Sequence, residues 1–125
     1  MKGLKKFILI VEDDSFLSDI YQNQLKQEGF ETEVSTDGKS ALKVLEKKRP
    51  NLIVLDMIMP GMNGFDFLEI MRKEKKNDDI PVFILTNLGQ DEDKKRCREL
   101  RECSYFVKTE ISIDDVVRKI KEQVS

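Results

Sequence analysis

Glu12-Asp13-Asp14, Asp56, Thr86 and Lys108 are the side chains whose types and positions could do chemistry together. Each follows a short apolar run: the acidic triplet follows Phe7 to Val11, Asp56 follows Leu52 to Leu55, Thr86-Asn87 follows Val82 to Leu85, and Lys108 follows Tyr105 to Val107. Carboxylates about 4 Å apart repel by roughly 4 kcal/mol per pair at an effective dielectric near 20. A cluster of them must take up protons or bind a cation. Hard oxygen ligands with room for water suit magnesium, with manganese the alternative, better than a softer transition metal. Lys108 adds one positive charge and cannot neutralise the cluster alone. Acid, hydroxyl and ammonium together make a phosphoryl site: metal and lysine offset negative oxygens, the hydroxyl donates a hydrogen bond, and a carboxylate attacks.

A simpler reading exists for each residue. Carboxylates at strand ends are often helix caps or solvated charges, and taken singly Glu12 or Asp14 fits that description. Thr86 alone could be a turn residue and Lys108 alone a solvated charge. That reading explains poorly why separate runs end in acid, hydroxyl and amine. Histidine is absent, which removes Ser-His-Asp and Cys-His catalysis and most zinc chemistry. Cys97 and Cys103 lack a C-x-x-C spacing, so the expectation is neither a disulfide framework nor a zinc site but two small buried apolar residues.

The elements that must position these residues are legible as five apolar runs alternating with segments of helical period; Phe30 to Ser35 is the second run. Three runs are continuously apolar, as strands of a parallel sheet covered on both faces must be. Phe30-Glu31-Thr32-Glu33-Val34 alternates instead, and is expected at an edge with one face wet. Leu17, Ile20, Tyr21 and Leu25 form one helical stripe, Ala41, Leu42 and Leu45 a second, and Phe67, Leu68 and Met71 a third. In the last helix Ser112 is the cap, and Ile113, Val116, Val117, Ile120 and Val124 line the buried face. The fourth helix, Asp91 to Leu100, offers only Cys97 and Leu100 as anchors and should be weakly held. Right-handed crossovers then give an α/β, flavodoxin-like doubly wound (βα)5 three-layer sandwich. Its five-stranded parallel sheet should have the order 2-1-3-4-5, with residues 1–125 as one domain. Ligands in such sheets bind beyond the carboxyl ends of the strands, where the chemical residues lie.

With 37% charged residues and a net charge of -2, the two signs are mixed, which disfavours a nucleic-acid partner. No apolar run approaches the ~18 residues needed to span a bilayer, and no signal-peptide pattern opens the chain, so no membrane association and a cytoplasmic location are expected.

Asp56-Met57-Ile58-Met59-Pro60-Gly61-Met62-Asn63-Gly64 resembles the D-x-x-M-P-x-M-x-G pattern of the receiver domains of two-component response regulators at every fixed position. Glu12-Asp13, Thr86, Tyr105 and Lys108 also fall where that family places its acidic pair, switch hydroxyl, switch aromatic and lysine. The resemblance implies that Asp56 accepts a phosphoryl group from a phosphohistidine on a sensor histidine kinase or histidine phosphotransfer protein. It implies magnesium held by Asp13, Asp56 and the backbone carbonyl of Ile58, with Glu12 acting through water, and phosphoryl oxygens bound by Thr86 and Lys108. Phosphorylation would bias a two-state pair, Thr86 and Tyr105. The chain would be a phosphoacceptor that assists its own phosphorylation and dephosphorylation, not an enzyme acting on other substrates. Since the fifth helix ends at Ser125, the signal is expected to reach a downstream target protein through the fourth helix, fifth strand and fifth helix. Phe16, off its helix stripe, is a candidate contact for the kinase. Pro60 and Gly64 should shape the pocket without doing chemistry.

Two residues depart from the family pattern. Asn87 stands where a very small residue is usual, and Thr109 follows Lys108 where proline across a cis bond is common. Without proline a cis bond costs about 3 kcal/mol, so a trans Lys108-Thr109 bond and a rerouted loop are expected. Ile58 and Leu88 occupy the variable positions that flank the phosphoryl group, and neither can orient an attacking water, which implies a long-lived acyl phosphate. Two competing functions remain. One is a phosphorylation-independent docking module with a receiver fold. The other is a phosphatase of the haloacid dehalogenase type, which needs a second acid two residues after the nucleophile, where Ile58 stands.

Overall fold

The computed structural model describes residues 5–87 and 89–125. Five strands alternate with five helices: β1 Phe7–Val11, α1 Ser15–Gln27, β2 Glu31–Ser35, α2 Gly38–Lys47, β3 Leu52–Asp56, α3 Gly64–Arg72, β4 Val82–Thr86, α4 Asp91–Arg98, β5 Cys103–Val107 and α5 Ile113–Val124. The strands are all parallel in the order β2-β1-β3-β4-β5, as expected. Side-chain alternation splits each central strand between two layers. Phe7, Leu9 and Val11 face the cluster shared with Ala41, Leu45, Phe67, Met71 and Cys97, while Ile8 and Ile10 face Tyr21, Leu25, Val116 and Ile120. Thus α2, α3 and α4 cover one face and α1 and α5 the other.

Local sequence accounts for where the elements begin. Asp14 caps α1 by accepting from Phe16 N and Leu17 N, so the cap reading holds for this member of the triplet. Asp37 and Ser112 cap α2 and α5. Asn63 and Asp66 form a reciprocal capping box on α3, which fixes the exit of the loop after Asp56. At the edge, β2 exposes Glu31 and Glu33 while Val34 packs inward, matching its alternating sequence.

The structure also moves some boundaries. Asp56 and Thr86 are the last residues of β3 and β4, inside the strands, and β5 begins two residues early at Cys103. A short 3-10 turn, Lys75–Asn77, buries Asn77, whose amide donates to Met71 O at 3.2 Å. The cysteine reading needs correction: Cys97 is buried, but it is joined to the partly exposed Cys103 as a disulfide. The turn after α4 brings their Cα atoms to 5.6 Å, within bridging range, which spacing in sequence alone did not reveal. The Lys108-Thr109 bond is trans, as expected.

Candidate functional site at the carboxyl rim of the sheet

Strand register alone gathers the chemical residues. Val11 pairs with Leu55, Asp56 with Leu85, and Thr86 with Val107, so one residue further along the rim lie Glu12, Asp56, Thr86 and Lys108. Two hydrogen bonds extend the ladders past their last pairs: Glu12 N donates to Ser35 O at 2.9 Å and Lys108 N donates to Thr86 O at 2.7 Å. The positions of these side chains are therefore set by the rigid sheet, and flexible loops play little part.

Glu12, Asp13 and Asp56 each offer a carboxylate oxygen, and the three oxygens lie within 4.8 Å of one another. Glu12 and Asp56 are buried and Asp13 is exposed, so the cluster opens to water on one side. Lys108 Nζ donates to Glu12 Oε1 at 3.0 Å and stands 3.7 Å from Asp56 Oδ1. Burial pushes the Glu12 carboxyl up to about 7, against the lowering effect of the Lys108 hydrogen bond and with help from the charge of Asp56. One ammonium thus fails to compensate the group fully. Three hard oxygen donors, two of them sheltered and one wet, fit a divalent cation that keeps part of its water shell.

Around this centre, the Ile58 N–H lies 3.5 Å from Asp56 Oδ1 and the Ile58 side chain is 57% exposed. Gly64 N donates to Met57 O at 2.8 Å, folding the loop after β3 back against the acceptor strand. Thr86 is fully buried at the end of β4. Tyr105 pairs with Ile84, two residues before the Thr86–Val107 pair, and is partly buried on the α2-α3-α4 side, where burial and the charge of Asp93 raise its hydroxyl pKa. The structure therefore gathers the carboxylates of Glu12, Asp13 and Asp56, brings Lys108 to Glu12 and Asp56, sets Thr86 at the next rim position, and places Tyr105 further down β5. Asn87 is exposed, and Leu88 lies outside the described residues. Phe16 is 76% exposed at the start of α1. Tyr21, read from the sequence as core alone, also feels the Glu12 charge, which adds to burial in pushing its hydroxyl up to about 12.

Residues 8–121 match the response regulator receiver domain family. The chain belongs to that family. This receiver is similar to the "Probable transcriptional regulator ycf27" of Cyanophora paradoxa, 38% identical over 104 residues that cover 83% of this chain and 42% of that protein. It is also similar to the phosphate regulon transcriptional regulatory protein PhoB of Klebsiella pneumoniae, 35% identical over 114 residues covering 91% and 49%. The receiver thus spans about half the length of the curated relatives it matches. Among solved structures, the receiver domain of Francisella response regulator 1452 superposes with a TM-score of 0.85 at 28% identity, covering 96% of this chain and 97% of that one. No helix among the described residues is long and apolar enough to cross a membrane.

Proposed function

We propose that this receiver is a phosphorylation-driven switch of a two-component phosphorelay. The observation that carries the reading is the placement of Asp56 within reach of two further carboxylates and of Lys108 at the ligand-binding rim of the sheet. In the transfer, an Asp56 carboxylate oxygen attacks the phosphorus of a partner's phosphohistidine. An O–P bond forms, the N–P bond breaks, and the imidazole leaves with the electron pair and takes a proton from solvent. The donor must be a sensor histidine kinase or a histidine phosphotransfer protein, because this chain contains no histidine.

Asp13, Asp56 and the backbone carbonyl of Ile58 would hold magnesium, with Glu12 acting through water. When bound, magnesium supplies positive charge opposite the developing negative charge on the phosphoryl oxygens. Lys108 is already directed at the acceptor and offsets the same charge from the other side. Thr86 donates its hydroxyl to a phosphoryl oxygen, and that shift is passed to Tyr105 and the α4-β5-α5 surface, where a downstream target protein docks. The receiver acts on itself, as a phosphoacceptor that assists its own transfer and hydrolysis, and works in the cytoplasm as one domain spanning residues 1–125.

The test is incubation with acetyl phosphate or phosphoramidate and magnesium, read by intact mass. One added phosphoryl group is expected, and none in Asp56→Asn. A native protein that stays unmodified under these conditions while binding its partners unchanged would instead be a docking module with a receiver fold.

A further inference from the structure

On its face of the sheet, α4 is the least anchored helix. Among its side chains only Cys97 is buried, whereas α2 buries Gly38, Ala41 and Leu45 and α3 buries five residues. Leu100, beyond the cap, adds a partly buried contact to the same cluster, and charged side chains make up the rest of the helix. An element with so few buried contacts opens locally at low cost unless something else holds it.

Arg96 reaches α3 through Glu69 and the Phe65 ring, and the bond from Cys97 to Cys103, the first residue of β5, ties the end of the helix to the sheet. The turn between them has its own supports. Leu100 N donates to Cys97 O at 3.0 Å, Arg72 of α3 donates to Arg101 O at 2.9 Å, and Val82 N donates to Glu102 O at 2.8 Å. Glu102 itself takes a left-handed φ of 53°. Together with these contacts, the bond holds the two Cα atoms 5.6 Å apart. Cys97 is 1% exposed while Cys103 is partly exposed, so Cys103 is the thiol that a soluble reagent meets first.

We propose that Cys97 and Cys103 form a reversible thiol–disulfide latch that pins the end of α4 to β5 when oxidised and frees it when reduced. The oxidant is a small-molecule disulfide such as oxidised glutathione. The Cys103 thiolate attacks one of its sulfurs and expels one glutathione thiolate. Cys97, deprotonated, then attacks the Cys103 sulfur, forming the internal bond and expelling the second glutathione. The two protein thiols lose two electrons and two protons, and the reagent is reduced to two thiols. In a reducing compartment such a pair rests open and closes under oxidative load. Tyr105 lies two residues beyond Cys103 on the same strand, so the latch acts next to the proposed switch aromatic.

The full chain, treated with oxidised glutathione or with a phosphine reductant, tests this by intact mass after alkylation and by amide hydrogen exchange. Neither readout depends on Asp56 being a phosphoacceptor. The oxidised sample is expected to lose two hydrogen atoms, resist alkylation, and exchange the amides of residues 96–102 about tenfold or more slowly than the reduced one. Cys103→Ala, altered at a partly exposed site, should show no such difference, and the comparison within the native sequence stands without it. A glutathione left attached to Cys103, or equal exchange in both redox states, would overturn the latch.

Discussion

Lys108 donates to Glu12 at 3.0 Å, joining the end of β5 to the end of β1 across 96 residues of chain. In the sheet β3 and β4 lie between those two strands, and Lys108 Nζ also stands 3.7 Å from Asp56 at the end of β3. The Lys108 hydrogen bond compensates Glu12 only in part, so burial still raises the pKa of that carboxyl.

Glu12 therefore makes the metal-free protein sensitive to pH. Its folded pKa, about 7, lies above the ordinary 4.5, so the folded state binds more protons than the unfolded state between those values. The associated stability is present below about pH 4.5 and is lost as pH rises through 7. Urea unfolding in a chelating buffer should give a lower midpoint at pH 8 than at pH 5. Glu12→Gln should remove most of that slope, and added magnesium should flatten it by favouring the carboxylate. A midpoint that rises over this range would contradict the assignment.

Lys108→Ala separates the two roles of the lysine. Among the described residues, the ion pairs that reach Glu12 and Asp56 both come from Lys108. Removing the ammonium takes away a competitor for the same oxygens, so calorimetric titration should show magnesium bound more tightly, by roughly tenfold. Labelling by phosphoramidate should nevertheless slow, because the phosphoryl oxygens lose a counter-charge. Weaker magnesium binding in the variant would show that the lysine organises the carboxylates and does not compete for them.

Gly64 is constrained by close approach. A Cβ there would meet Asp56 O and Met57 Cα, each at 3.1 Å, and both atoms are backbone. Gly64→Ala should cost about 1–2 kcal/mol in urea unfolding and also slow labelling, since the strain falls on the acceptor residue itself. A variant of native stability and native labelling rate would mean that the loop yields freely.

The side chain of Ile58, exposed two residues after Asp56, offers no polar group of its own to position water. Ile58→Asn adds an amide able to hold one, and decay of the acyl phosphate, followed by mass after removal of the donor, should become severalfold faster. An unchanged decay rate would remove Ile58 as the cause of a long lifetime.

Much of this organisation was legible because each feature had a local cause. Continuous apolar runs marked the covered strands, the alternation of Glu31 to Val34 marked the edge, and the residues at the run ends marked the rim. What escaped depended on contacts between distant or oddly turned segments. The pairing of Cys97 with Cys103 needs a turn with Glu102 at positive φ, which no glycine or asparagine announces. The extra residues of β3 and β4, Asp56 and Thr86, are polar, so an apolar pattern stops one residue short of where the ladder does. Asp14, by contrast, takes the cap role its type allowed, which leaves Glu12 and Asp13 beside Asp56.

The central claim is tested most directly by the rate at which phosphoramidate labels the peptide containing Asp56, measured against magnesium concentration. Labelling should be negligible in chelator, rise to saturation with magnesium, and require far more magnesium in Asp13→Asn. Labelling that proceeds at the same rate without a divalent cation, or that falls on another residue, would contradict it.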